Sequence, residues 1–193
     1  QAYCIEAGDE YFRFFKDQGV ILEANKTISA ITKANPGVVT ATSHGFNNAD
    51  LVFISSVAGM VEVNGKYFKV ANKTTNTFEL QDVDASNVNT SGFTTYTSGG
   101  TAARVVEIAT PYPTADLFAI QYAQTADVMF ITHPSHKPRK LSRTSDINWT
   151  ISDVAFEDGP YLDENITTTT FNPSGTTGTI TIAASSTTGV NGG

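Results

Sequence analysis

Short runs of β-branched and aromatic residues, each ended within a few positions by glycine, proline, asparagine or aspartate, fill this chain from end to end. Residues 3–7 stop at Gly8-Asp9, residues 11–16 at Asp17-Gln18-Gly19, and the run before residue 38 at Asn35-Pro36-Gly37. Runs of this length with period-two alternation read as strands, and the punctuation reads as turns. Only residues 114–122 offer a helical turn, with Thr114 as cap and Asp116 in the first turn. The pattern predicts an all-β protein.

Composition narrows the class further. Thr and Ser contribute 28 and 14 of the 193 residues, and charged residues only 16%, against an average of about a quarter. A coiled coil would need far more Leu, Glu and Lys. The 12 Phe and 7 Tyr exclude a disordered tail, and the single Cys excludes a disulfide scaffold. Cys4 sits in an alternating run and is expected to be a small buried apolar group. No stretch reaches the roughly 18 apolar residues of a membrane span. The ends of the sequence suggest a fragment of a longer polypeptide.

The middle of the chain reads as a small barrel. Residues 38–42 form a strand, and residues 51–55 are apolar enough for a central one. Asn64-Gly65 between residues 61–63 and 67–70 predicts a type I′ hairpin, and residues 77–80 and 102–108 supply further strands. Beyond it, residues 126–132 form a strand that the Pro-rich His133-to-Pro138 segment ends. Residues 139–144 follow as a strand with a basic outer face, and residues 149–156 as another. Late strands are expected at 167–171 and 179–183.

Few residues suggest chemistry. His133, Ser135, His136 and Asp127 lie close in sequence. A serine nucleophile would need a strained, glycine-flanked turn, and a metal would need further ligands. Lys137, Arg139, Lys140 and Arg143 form the only basic run, with Asp153, Glu157 and Asp158 downstream. The basic run could bind phosphate, but these seven residues are expected rather to bridge strands or stay solvated, or to form a subunit interface between unlike faces. Glu157, Asp158, Asp163 and Glu164 could offer the paired carboxylates of a glycan hydrolase. No cofactor motif is present, and no catalytic role is assigned. Net charge is −7, a poor basis for gripping nucleic acid.

Two resemblances appear at this point. The segment Val38-Val-Thr-Ala-Thr-Ser-His-Gly-Phe46, with Asp50-Leu-Val-Phe-Ile54, Val63-Asn64-Gly65-Lys-Tyr-Phe-Lys-Val70 and Asn76-Thr-Phe-Glu-Leu80, resembles a small β-barrel module. It is the one named after the first catalytic cysteine half-domain (FCCH) of ubiquitin-activating enzymes, which recurs in phage structural proteins. Ala49 stands where phage versions usually have Gly. No cysteine lies between Ser29 and Arg104, so the resemblance implies a spacer or interaction domain and no thioester chemistry.

The flanks resemble a different family. Gln1-Ala-Tyr through Asp17, Glu107-Ile-Ala-Thr-Pro-Tyr-Pro-Thr-Ala-Asp-Leu-Phe118, and residues 121–141 are similar to the tail nozzle, or tail tubular protein B, of short-tailed phages. This resemblance implies a discontinuous nozzle-like antiparallel domain over residues 1–28 and 105–193, propeller-blade or meander-like, interrupted by an inserted barrel over residues 29–104. It further implies a virion tail protein that forms a homo-oligomeric ring around a DNA channel, next to adaptor and fibre proteins, with DNA only as passing cargo. The insert holds 5 basic and 5 acidic residues, whereas residues 105–193 hold 4 and 9. The acidic surplus therefore belongs to the flanks. A host-surface binding module, using loops 44–50 and 84–100, is the alternative expectation.

Overall fold

A computed structural model describes residues 2–156, 171–173 and 182–184. Two compact units divide at Val154/Ala155. The first begins with β1 (Cys4–Gly8), β2 (Tyr11–Lys16) and β3 (Gly19–Val20). It continues through β4 (Lys26–Thr27), β5 (Ala30–Ile31), β6 (Val38–Thr40), β7 (Leu51–Ala58), β8 (Lys66–Ala71), β9 (Thr77–Gln81) and β10 (Ser98–Arg104). It ends with β11 (Glu107–Ala109), β12 (Gln121–Thr125), β13 (Val128–His133), β14 (His136–Ser145) and β15 (Asn148–Asp153). In the second unit β16 (Phe171–Pro173) pairs antiparallel with β17 (Ile182–Ala184). The late strands expected at 167–171 and 179–183 overlap these only in part, and the rest lies outside the described residues. The described chain is all-β apart from two 3₁₀ turns.

The middle of the first unit is a seven-stranded antiparallel sheet in the order β4-β10-β7-β8-β9-β6-β5. Its two edges meet on one short stretch of chain. The Ile28 N–H donates to Gly100 O on one side (3.0 Å), and the next amide, Ser29 N–H, donates to Thr40 O on the other (2.8 Å). The sheet is thus curled until one segment bridges both edges, which removes the exposed ladder that an open sheet leaves. Period-two alternation brings Val52, Ile54, Phe68, Val70, Phe78 and Leu80 inward, and Val57, three residues after Ile54, is buried with them. As expected from its apolar run, β7 lies centrally, between β10 and β8.

The Asn64-Gly65 expectation needs correction. Residues Val61–Val63 form a 3₁₀ turn, not a strand. Asn64 is extended (φ −70°, ψ 141°) and Gly65 has φ 70°, the geometry of a type II rather than a type I′ turn. The Asn64 side chain also brackets Val57, accepting from its N–H at 2.8 Å and donating to its carbonyl at 2.9 Å. An asparagine whose amide is committed to the adjoining strand no longer needs the left-handed conformation that the dipeptide suggests.

β1, β2, β3 and β11 make a second sheet. The chain enters and leaves the curled sheet side by side: Leu22 bridges Val105, and the Val106 N–H donates to Ile21 O at 2.9 Å. β12 to β15 form an antiparallel meander. One face of that meander packs on the second sheet, where Phe12, Phe14, Ile131 and Leu141 are buried and Trp149 stacks on Phe14 at 3.9 Å.

Three sequence expectations change in this region. Cys4 is exposed, since it stands opposite Phe15 on the outer side of the hairpin. Residues 114–122 are divided between a 3₁₀ turn (Thr114–Ala119) and β12, and Thr114 is not its cap. Instead the Thr114 N–H and hydroxyl donate to the Asp9 carboxylate at 2.8 and 3.0 Å. Pro138 lies inside β14, which begins directly after a two-residue turn. The register slips between Ile131 and His133, so Pro138 falls at a bulge where its missing N–H costs no ladder bond.

Candidate functional site

Arg139, Leu141 and Arg143 alternate along β14, so all three belong to one face of the sheet. Leu141 is 1% exposed and faces the core, which places both arginines on the covered face and corrects the expectation of a basic outer face. Their long stems lie along apolar surface while the guanidinium groups reach acidic partners at the edges. Arg139 pairs at 2.6 Å with Asp153, its direct cross-strand partner. Arg143 pairs with Asp127 and approaches Asp146 at 3.8 Å, and its guanidinium lies 4.6 Å from the centre of the Tyr3 ring. Lys140 is the register partner of Phe130 on the opposite face. Lys137 is exposed, and among the described residues neither lysine makes an ion pair. Glu157, Asp158, Asp163 and Glu164 lie outside the described residues.

Asp146 is the hub of this edge. It accepts from the Tyr3 hydroxyl and from Lys16 Nζ at 2.5 Å. The Lys16 ammonium, with help from Tyr3, holds its carboxyl below the usual carboxylate range. Next to it an open cavity of about 510 Å³ lies between the two sheets. Apolar groups dominate its lining, among them Tyr3, Ile5, Leu117, Met129 and Trp149, and Arg143 and Asp127 line it as well.

A second cluster involves the histidines. His133 and His136 are cross-strand partners flanking the Pro134-Ser135 turn, with ring centres 4.8 Å apart. His136 Nε2 donates to Asp116 Oδ2 at 2.6 Å. Asp116, on the 3₁₀ turn, is therefore a third member that sequence spacing did not reveal. Ligand atoms of Asp116, His133 and His136 lie within 4.8 Å of one another. Asp127 is not part of this group, because it is engaged by Arg143. Tyr112 packs against both imidazoles, with ring centres 6.1 and 5.1 Å away. Burial pushes its hydroxyl up from the ordinary phenol range, against the pull of the Arg139 cation. Tyr112 Oη, His133 Nε2 and Arg139 Nε are all buried without a hydrogen-bond partner. Ser135, exposed in its turn, donates its N–H to His133 Nδ1. Its hydroxyl has no strained elbow behind it, so no nucleophile is built here.

The third histidine is structural. His44 is 1% exposed between Phe46 and Phe78. Its Nδ1 accepts from the Phe46 N–H at 2.9 Å and its Nε2 faces Thr77 O at 3.3 Å, which assigns the proton to Nε2. Loop 44–50 is tied down further by Asp50, which accepts from the Asn47 N–H and from Arg104. Loop 84–100 is pinned in turn by Thr94 on Glu62 and by the Tyr96 hydroxyl on Ile28 O and Gly99 O. Both loops expected to present a binding surface spend much of their polar capacity within the curled sheet.

These features define a small curled β module set into a second β structure, with no assembled catalytic constellation among the described residues. Residues 34–105 match the family described as the FCCH domain of ubiquitin-activating enzyme E1. Human ubiquitin-like modifier-activating enzyme 1 is 40% identical over 82 residues, 40% of this chain and 7% of that protein. The rat protein of the same name is 33% identical over 106 residues, 50% of this chain and 9% of that protein. The chain thus contains an FCCH-type module, and it spans less than a tenth of the length of these relatives. Its only cysteine, Cys4, lies outside the matched segment.

Proposed function

We propose that this chain is a structural protein of a phage virion, a subunit of a tail nozzle that assembles as a ring around the DNA channel. The observation that carries the reading is the incomplete burial of the β12–β15 meander. One face packs on β1–β2, while β12 is an edge strand whose five residues are all exposed. Phe118 and Tyr122, at 98% and 71% exposed, and Phe130 stand out beside it. Large apolar groups gathered at a sheet edge mark a surface that another subunit covers. Repeated head-to-tail contacts of that kind close a ring.

The flanking motifs at residues 1–17 and 107–141 support the same reading through their resemblance to nozzle proteins. The subunit contact involves the exposed edge and the free face that bears Lys137 and Lys140. Arg139, Arg143 and Asp153 hold the sheet that presents it. The acidic surplus of the flanks suits a wall past which DNA slides without adhering during ejection. The FCCH-type module serves as a spacer or lateral contact. Adaptor and fibre proteins are the neighbours above and below.

The test combines imaging with assembly. Antibody against this chain is expected to label the tails of virions in electron micrographs. Tyr122→Ser with Phe130→Ser is expected to leave the chain folded by circular dichroism while lowering the assembled fraction in sedimentation by about tenfold or more. Labelling elsewhere in the particle, or an assembly unaffected by both changes, would overturn the reading.

A further inference from the structure

We infer that Asp116, His133 and His136 form a binding site for one divalent transition-metal ion of the zinc class. The ion would pin the 3₁₀ turn that precedes the meander to the β13–β14 hairpin. The three side chains come from two separate pieces of backbone that the fold brings together. Two are cross-strand partners, the arrangement in which side chains on one face lie nearest to each other. The third is held over them because its turn is anchored at Thr114 by Asp9.

The geometry is close to what an ion needs. The ligand atoms lie within 4.8 Å of one another, and a tetrahedral ion bound at ordinary zinc distances wants them about 3.3 Å apart. Small side-chain rotations close that gap. The donor set is two imidazoles and one carboxylate, which selects zinc, cobalt or nickel over the oxygen-seeking magnesium and calcium.

Independent support comes from unsatisfied groups around the cluster. Tyr112, 0% exposed, walls the site with its hydroxyl unpartnered, and His133 Nε2 is buried without a partner as well. Buried polar atoms left unpaired are rare in native structures and call for a missing partner. On binding, each neutral imidazole keeps its single proton, which moves from the ligating nitrogen to the other ring nitrogen. The Ser135 N–H, exposed in its turn, can give up His133 Nδ1 for water. Such a site is structural: it locks the turn and the hairpin that carry the exposed edge of the meander.

The protein supplies its own control, because His44 is the remaining histidine and both of its ring nitrogens are engaged inside the curled sheet. The full chain, stripped with chelator, is titrated with Zn²⁺ and separately with Co²⁺. Histidine ring ¹⁵N resonances and cobalt visible absorption are recorded. One equivalent of Co²⁺ is expected to produce a saturating absorption band, and Zn²⁺ to move the His133 and His136 resonances while leaving His44 in place. Asp116→Asn and His133→Gln are expected to weaken binding by at least about tenfold. Absence of saturable binding near one equivalent, metal-induced shifts that spare His133 and His136, or variants that bind as well as the parent would each overturn the inference. The resonance experiment needs no variant, so a substitution that fails to fold does not leave the question open.

Discussion

The backbone N–H of Glu23 donates to the carbonyl of Arg104 at 2.8 Å, while the Arg104 guanidinium holds the Glu23 carboxylate at 2.6 Å. Glu23 lies on the segment entering the curled sheet and Arg104 ends the strand leaving it, so this double contact closes its neck. The same guanidinium reaches Asp50 at 3.1 Å and thereby ties the neck to loop 44–50. All three side chains are partly exposed, which screens the charges but leaves the fork geometry intact.

Arg104→Ala is therefore expected to destabilise the first unit by about 1–2 kcal/mol, the loss of charged hydrogen bonds partly shielded by water. Arg104→Lys should recover only part, because one ammonium cannot serve two carboxylates in the same planar arrangement. Urea midpoints of the three proteins check this.

Asp146→Asn should remove a pH dependence. The Asp146 carboxyl is held below its usual range by Lys16 and Tyr3. Its contribution is therefore present above the ordinary carboxylate value and is lost as pH falls through the depressed one. The parent should melt at a higher temperature than the variant at pH 7, and the difference should shrink as the pH is lowered through 4 toward 2. A gap that stays constant over that range would disprove the assignment.

Gly59→Ala should cost about 2 kcal/mol or more, through strain at positive φ and steric overlap. Gly59 has φ +84°, and a Cβ there would stand 2.1 Å from Thr95 O, a backbone atom that cannot swing aside. Thermal melting of the variant tests it directly.

Ala49→Gly should stabilise the chain by about 0.5–1 kcal/mol, the relief of a left-handed alanine less the entropy of the added glycine. Ala49 has φ 72°, a conformation that glycine adopts without the steric cost an alanine carries. Its N–H donates to Val70 O at 2.8 Å, so the conformation is held by the sheet and the substitution leaves that bond in place. A rise in melting temperature is the expected reading.

Much of the architecture was legible in the residues. Short β-branched and aromatic runs bounded by turn residues identified β2, β7, β9 and β13, and alternation identified β15, because buried strand faces need apolar groups and turns need residues that end pairing. It misled where a local pattern had a tertiary partner. Asn64-Gly65 suggested one turn type, and the bonds from Asn64 to Val57 selected another. Pro138 suggested an end to pairing, and a bulge absorbed it. Arg139 and Arg143 read as outward-facing charges, although spacing from Leu141 already placed them on the same face as a buried residue.

The candidate site was only half visible. His133 and His136 were conspicuous because they are three residues apart, but Asp116 joins them only when the 3₁₀ turn folds over the hairpin. The sequence by itself determined the all-β class, the curled module and the turn positions, since these follow from periodicity and backbone preference over a few residues. Tertiary structure alone decided which charges meet, that Cys4 is exposed and His44 buried, and that an aspartate 17 residues before His133 in sequence completes a cluster. Those outcomes depend on packing between segments far apart in the chain, where no local pattern carries the information.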